Sequence, residues 1–149
     1  MGWLDALRNT IVGLDTAPLI YFIEKHPTYF PILHPFFEAV HRGDIQVVTS
    51  TLTLTEVLVV PYRMGNQKLA LDYTRILLNS GNLTVLPVSE AVAVEAARIR
   101  ARHGYKTPDA LQIATAILGK ANTFLTNDAA LASLPALPTI LLDQLRDKP

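Results

Sequence analysis

The chain contains no cysteine, which excludes disulfides, thiolate metal sites and thiol nucleophiles. It also lacks an excess of either charge: 13 Lys and Arg balance 13 Asp and Glu, for a formal net charge of zero. Non-specific binding to nucleic acid rests on a basic surface that neutralises phosphates, so any contact with a polyanion has to be local or metal-mediated. No apolar run approaches the ~20 residues that span a bilayer. No secretory leader is visible either: Asp5 follows directly on Trp3 and Leu4, and the stretch Ile11–Leu14 is too short. The first residues lack the Ser or Thr of a myristoylation site. These absences lead to the expectation of a soluble, cytoplasmic protein. What the chain has instead is apolar bulk. Half of its 149 residues are hydrophobic, enough for one domain over residues 1–149 that buries roughly 70% of its unfolded surface.

Short apolar runs alternate with helical patterns. Ile11–Asp15 reads as a buried parallel strand ending in an acid, and Pro18 lies near the first turn of an apolar helix through Leu19–Ile23. A helix over Ile32–His41 ended by Gly43 and a strand over Ile45–Thr49 follow. Ser50–Val60 reads two ways: its Thr and Val content favours strand, whereas Ser50 as a cap and Pro61 as a stop favour helix. Asn66–Ser80 places Leu69, Tyr73, Ile76 and Leu77 on one helical face, with Gly81 past its end. Leu83–Leu86 is a strand. Ser89 caps a helix that buries Val92, Ala96 and Ile99 and ends at Gly104. Thr107-Pro108-Asp109 combines a capping hydroxyl, an early proline and an acid in the first turn of a helix to about Leu118. Strands at Thr123–Thr126 and Thr139–Leu142 complete the series. The pattern predicts one α/β domain with a parallel sheet covered on both faces.

Ligands of open parallel sheets gather at the carboxyl ends of the strands, and acids stand there. Asp15 ends the first strand, Glu56 follows the second, and Asp128 follows the fourth, while Asp109 opens the helix at Thr107. Each has a plain alternative. Asp109 could simply favour a helix N-terminus, and Asp128 could cap a short helix over Ala129–Leu134. Asp15 is harder to dismiss, because an Asp seldom follows an apolar strand without a partner. Glu56 sits between Leu54 and the run Val57–Val60, where a carboxylate is costly unless paired. No Lys or Arg lies close in sequence, so a cation is the natural missing partner. Mg²⁺ and Mn²⁺ prefer oxygen donors and are often held by one or two carboxylates with water and substrate phosphate.

Four segments, Gly13-Leu14-Asp15-Thr16, Thr55-Glu56-Val57, Thr107–Ala114 and Leu125-Thr126-Asn127-Asp128, resemble the acidic motifs of PIN domains in order and spacing, over about residues 10–142. Among small members the similarity is to VapC-type toxins of toxin–antitoxin pairs. The resemblance implies a three-layer α/β/α sandwich around a parallel sheet of four or five strands, with Glu56 on a helix. It implies a Mg²⁺- or Mn²⁺-dependent ribonuclease whose metal-binding acids are Asp15, Glu56, Asp109 and Asp128, with Thr126 as a supporting hydroxyl. It also implies a homodimer inhibited by a small antitoxin protein. Two departures stand out. Residues Met1–Thr10 extend ahead of the first strand, and the further acid that some members carry behind the last one is absent, since Ala129, Ala130, Leu131 and Ala132 follow Asp128.

Weaker signals remain. Arg98, Arg102, His103 and Lys106 precede Asp109 and read equally as RNA phosphate contacts or as a solvated helix end. His26, His34, His41 and His103 lack zinc-ligand spacing. Tyr21, Phe22, Tyr29, Phe30, Phe36 and Phe37 read as core or dimer surface before a base-stacking platform. A phosphotransfer enzyme using Asp15 would want a second Asp two residues on, where Ala17 stands. A non-catalytic PIN-like binding module, or an RNA-processing nuclease without an antitoxin, are the readings that compete with the toxin.

Overall fold

A five-stranded parallel sheet carries the fold in a computed structural model that describes residues 2–134 and 136–146. The strands are β1 (Ile11–Leu14), β2 (Gln46–Ser50), β3 (Leu83–Leu86), β4 (Thr123–Thr126) and β5 (Thr139–Leu141), in the spatial order β3-β2-β1-β4-β5. The chain runs outward from β1 through β2 to β3, then returns to the other side of β1 for β4 and β5. The strand order therefore reverses between β1 and β4. Crevices at such a reversal, beyond the carboxyl ends of the strands, are where parallel sheets bind ligands.

Helices α1 (Thr16–Ile23), α2 (Phe30–Arg42), α3 (Thr51–Arg63) and α4 (Gln67–Asn79) cover one face, and α5 (Glu90–His103) and α6 (Thr107–Leu118) the other. Successive side chains of a strand point to opposite faces. Val12, Leu14, Val47 and Leu125 accordingly join Leu19, Phe36, Val57 and Tyr73 in the first core, while Phe124 packs with Ile99, Ile113 and Leu131 in the second. Gly13 lies on the second face. A Cβ there would meet the Ala116 Cβ at 2.6 Å and Phe124 Cδ1 at 3.1 Å, so its absence lets α6 approach the middle of the sheet.

Local signals explain most helix ends. Ser50, Asn66 and Ser89 accept hydrogen bonds from the N–H groups of Leu52, Leu69 and Val92, each satisfying a donor that the helix leaves free. Gly43 and Gly104 end α2 and α5 at φ +86° and +69°, a conformation open to a residue without Cβ. Several expectations need correction. Thr51–Val60 is helical with Ser50 as its cap, as the resemblance implied, but Pro61 does not stop it: α3 continues to Arg63, because a proline in the last turn removes one hydrogen bond while Thr53, Val57 and Pro61 itself remain buried. Helix α4 closes on an extended Ser80 rather than a left-handed Gly81. Thr107 is the first residue of α6 and Lys106 its cap position, with no side-chain cap bond. The helix expected over Ala129–Leu134 is a single 3-10 turn, Ala129–Leu131.

The segment ahead of β1 is part of the fold. A 3-10 turn at Asp5–Leu7 buries Leu7, Trp3 stacks on Phe36 with centroids 5.7 Å apart, and the Asn9 N–H bonds the Asp44 carbonyl. Phe36 and Phe37 are core. Among the described residues no helix is long and apolar enough to cross a membrane.

Candidate active site

Asp15 is the first residue beyond β1 and caps α1. One carboxylate oxygen accepts the Thr16 N–H at 2.9 Å and the other accepts the Thr126 hydroxyl at 2.7 Å. Burial pushes the Asp15 carboxyl above the usual carboxylate range. The two hydrogen bonds oppose this, and the charges of Asp109 and Glu56 add to it. Thr126, fully buried at the end of β4, also accepts the Asp128 N–H at 3.0 Å. One hydroxyl thus ties the acid after β1 to the acid after β4. Asp128 accepts the Ala130 N–H at 2.9 Å, so its capping role is real and coexists with a place at the crevice.

The other two acids come from helices. Asp109 lies in the first turn of α6, where burial and then the Asp128 charge raise its pKa, Lys106 lowers it, and Glu56 raises it again. Glu56 lies on α3 and accepts the Thr16 hydroxyl at 2.6 Å. Here the sequence reading is corrected: Glu56 is exposed, not enclosed by apolar neighbours, because of the run after it only Val57 is buried while Val59 and Val60 are 44% and 51% exposed.

Asp15, Glu56, Asp109 and Asp128 line one cleft of about 480 Å³. Thr16, Tyr21, Gln112 and Asn127 also border it. Among these Gln112 escaped the sequence reading, although an amide in the middle of an otherwise apolar helix was a signal. Arg98, Arg102, His103 and Lys106 do not line the cleft. Arg98 instead pairs with Glu95 at 3.2 Å, and His103 lies against Tyr105; only Lys106 exerts a charge effect on Asp109.

Four carboxylates line the cleft, and the ion pairs of Arg8, Arg42, Lys68, Arg98 and Arg146 go to other acids. Among the described residues no three acidic or imidazole groups lie close enough together to hold a metal ion between them. An open, water-accessible carboxylate cleft suits Mg²⁺ or Mn²⁺, since Mg²⁺ keeps several waters and takes one or two carboxylates. The pKa values of Asp15 and Asp109 are raised first by burial, and the charges of the neighbouring acids add a smaller part. The residues present therefore fit such an ion.

A family model described as "PIN domain" matches residues 12–137. No curated protein matches the chain. Among solved structures, the chain is similar to VapBC2 from Rickettsia felis bound to a promoter DNA fragment, at 20% identity and TM-score 0.67, covering 87% of this chain and 97% of that one. A toxin–antitoxin complex from Klebsiella pneumoniae matches at 21% identity and TM-score 0.66, over 90% and 98% of the two chains. DNA-bound VapBC from Salmonella typhimurium matches at 18% and 0.60, over 88% and 96%. At these identities the likeness is one of fold.

Proposed function

The chain belongs to the PIN-domain family, and from that premise we propose that it is a Mg²⁺- or Mn²⁺-dependent endoribonuclease. The observation that carries this reading is the meeting of Asp15, Glu56, Asp109 and Asp128 in one cleft at the strand-order reversal. These four carboxylates are the candidate ligands, of which one or two would hold the ion directly while the others act through its waters. When bound, such an ion activates water and stabilises in-line displacement at phosphorus. The chain's own contribution is orientation. The Thr16 N–H and the Thr126 hydroxyl fix both oxygens of Asp15, Thr126 links Asp15 to the backbone of Asp128, and the Thr16 hydroxyl holds Glu56. Lys106, exposed beside Asp109, and more distantly Arg98, Arg102 and His103 are candidates for RNA phosphates. Thr126 has the supporting role.

In the proposed hydrolysis water attacks phosphorus and the 3′-oxygen leaves, giving 5′-phosphate and 3′-hydroxyl ends without use of the ribose 2′-hydroxyl. Single-stranded RNA incubated with Mg²⁺, Mn²⁺ or EDTA tests this. Cleavage is expected only with metal, and 2′,3′-cyclic phosphate products would overturn the mechanism. Binding without cleavage would favour a non-catalytic module.

The toxin role, with a homodimer held inactive by a small antitoxin, is supported by structures of similar fold solved as toxin–antitoxin complexes. It is also supported by apolar surface on α1 and α3, where Ile20 and Tyr21 border the cleft and Val59 and Val60 face outward. Co-expression with the adjacent gene, pull-down and a ribonuclease assay form the test. A monomer without a small partner or an effect on growth would leave an RNA-processing nuclease.

A further inference from the structure

Gln112 lies three residues after Asp109 on α6, on the side facing the cleft, and is only 3% exposed. Its Nε2 donates to the Thr53 hydroxyl oxygen at 2.7 Å and the Thr16 hydroxyl oxygen at 3.1 Å, with Glu56 Oε1 at 3.5 Å. The reverse amide orientation would set a carbonyl oxygen against the Glu56 carboxylate and leave a buried NH₂ without an acceptor. The donor side therefore faces the threonines.

Counting protons gives the network a direction. The Thr49 hydroxyl donates to the Leu14 carbonyl at 2.8 Å and lies 3.0 Å from the Thr53 hydroxyl. Thr53 lies 3.1 Å from Thr16. With the two Gln112 protons occupying acceptor sites on Thr53 and Thr16, and Thr49 open to the Thr53 proton, the Thr16 proton is left for Glu56 Oε1 at 2.6 Å. Glu56 itself is an exposed, long side chain with many rotamers. Its direct bonds come from other helices, from Thr16 of α1 and Gln112 of α6.

The arrangement leaves one buried group unsatisfied. Gln112 Oε1 has no hydrogen-bond partner among the described residues. A buried acceptor in that state is destabilising, and an apolar side chain would suit this apolar helix better. We propose that Gln112 is a positioning residue whose buried amide, acting through the Thr16 and Thr53 hydroxyls, holds the Glu56 carboxylate in one orientation at the cleft. The inference rests on the reading of Glu56 as part of the acid site, and it adds a residue chosen for alignment at the expense of stability.

The test compares wild type with Gln112→Met, which keeps the length and removes the polar atoms. Four measurements are needed: crystal structures without metal, melting in EDTA, Mn²⁺ titration by calorimetry, and ribonuclease kinetics. Expected are a melting temperature at or above wild type and a Glu56 side chain released from Thr16. Mn²⁺ affinity and kcat should each fall about 10-fold or more, the scale of losing a group behind a metal ligand, with KM for RNA unchanged. A Gln112→Met protein that melts lower with Glu56 still on Thr16 would make Gln112 an ordinary core residue and overturn the proposal. Thr53→Val should reproduce the Glu56 displacement and Thr53→Ser should not; equal behaviour of the two also overturns it. Wild-type protein that neither binds Mn²⁺ nor cleaves RNA would remove the proposed function, while the Glu56 orientations would still decide the positioning.

Discussion

Asp15 and Asp128 stand where strands end, whereas Glu56 and Asp109 stand on helices, and the two pairs are held in different ways. The strand-end acids are fixed by backbone N–H groups and by one shared hydroxyl, Thr126. The sheet that places them also orients them. Glu56 depends on hydroxyls and an amide delivered from α1, α3 and α6, and Asp109 answers mainly to burial and to the charges around it. A rigid half therefore faces an adjustable half across one cleft. The rigid half sets the geometry, and acids of both halves feel one another's negative charge.

The largest effect should come from the rigid half. Asp15→Asn is expected to lower kcat by roughly 100-fold or more, the scale of losing one preorganised electrostatic group, with RNA binding little changed. Glu56→Gln should lose less, about 10-fold. Equal losses in single-turnover kinetics would erase the distinction between the pairs. A smaller effect concerns stability. Asp15 and Asp109 have pKa values raised above 3.8 in the folded protein, so the native state binds their protons more tightly than the unfolded chain does. Their stabilising contribution is whole below about pH 3.8 and is lost as pH rises through the raised values. At neutral pH without metal, Asp109→Asn should therefore raise the melting temperature in EDTA by about 2–4 °C, what roughly 1 kcal/mol is worth in a domain of this size, solvent screening considered. It should also flatten the decline with pH and abolish stabilisation by Mn²⁺. A lower melting temperature in EDTA would make Asp109 a structural helix-start acid. The smallest effect lies outside the cleft. Lys106→Met should weaken RNA binding and reduce the slope of log affinity against log salt by about 1, whereas Arg98→Met, already paired with Glu95, should leave the slope unchanged.

The strand-end acids and the helix-start Asp109 were the legible ones. A strand ending in an acid is a local pattern, and so are the Ser89 cap and the Gly104 stop, which the structure keeps as read. Ser50–Val60 stayed open because β-branched composition and a capping serine point in opposite directions. Packing of Thr53 and Val57 against the sheet decides for helix. The exposure of Glu56 was misread because a run of valines suggests a core, and two of them face solvent. Gln112 went unread for a different reason. Its partners Thr53 and Thr16 lie 59 and 96 positions away, and a single amide in an apolar helix gives no hint of which residues the fold will bring to it.

Gly13 gives these two halves a common gauge. It lies on β1 two residues before Asp15, and a methyl at that point would press on Ala116 of α6, the helix that carries Asp109 and Gln112. The absent side chain thus sets the gap between the layer that supplies the fixed acids and the layer that supplies the adjustable ones. Alanine at this position would leave every acid of the cleft in the sequence while forcing β1 or α6 to shift.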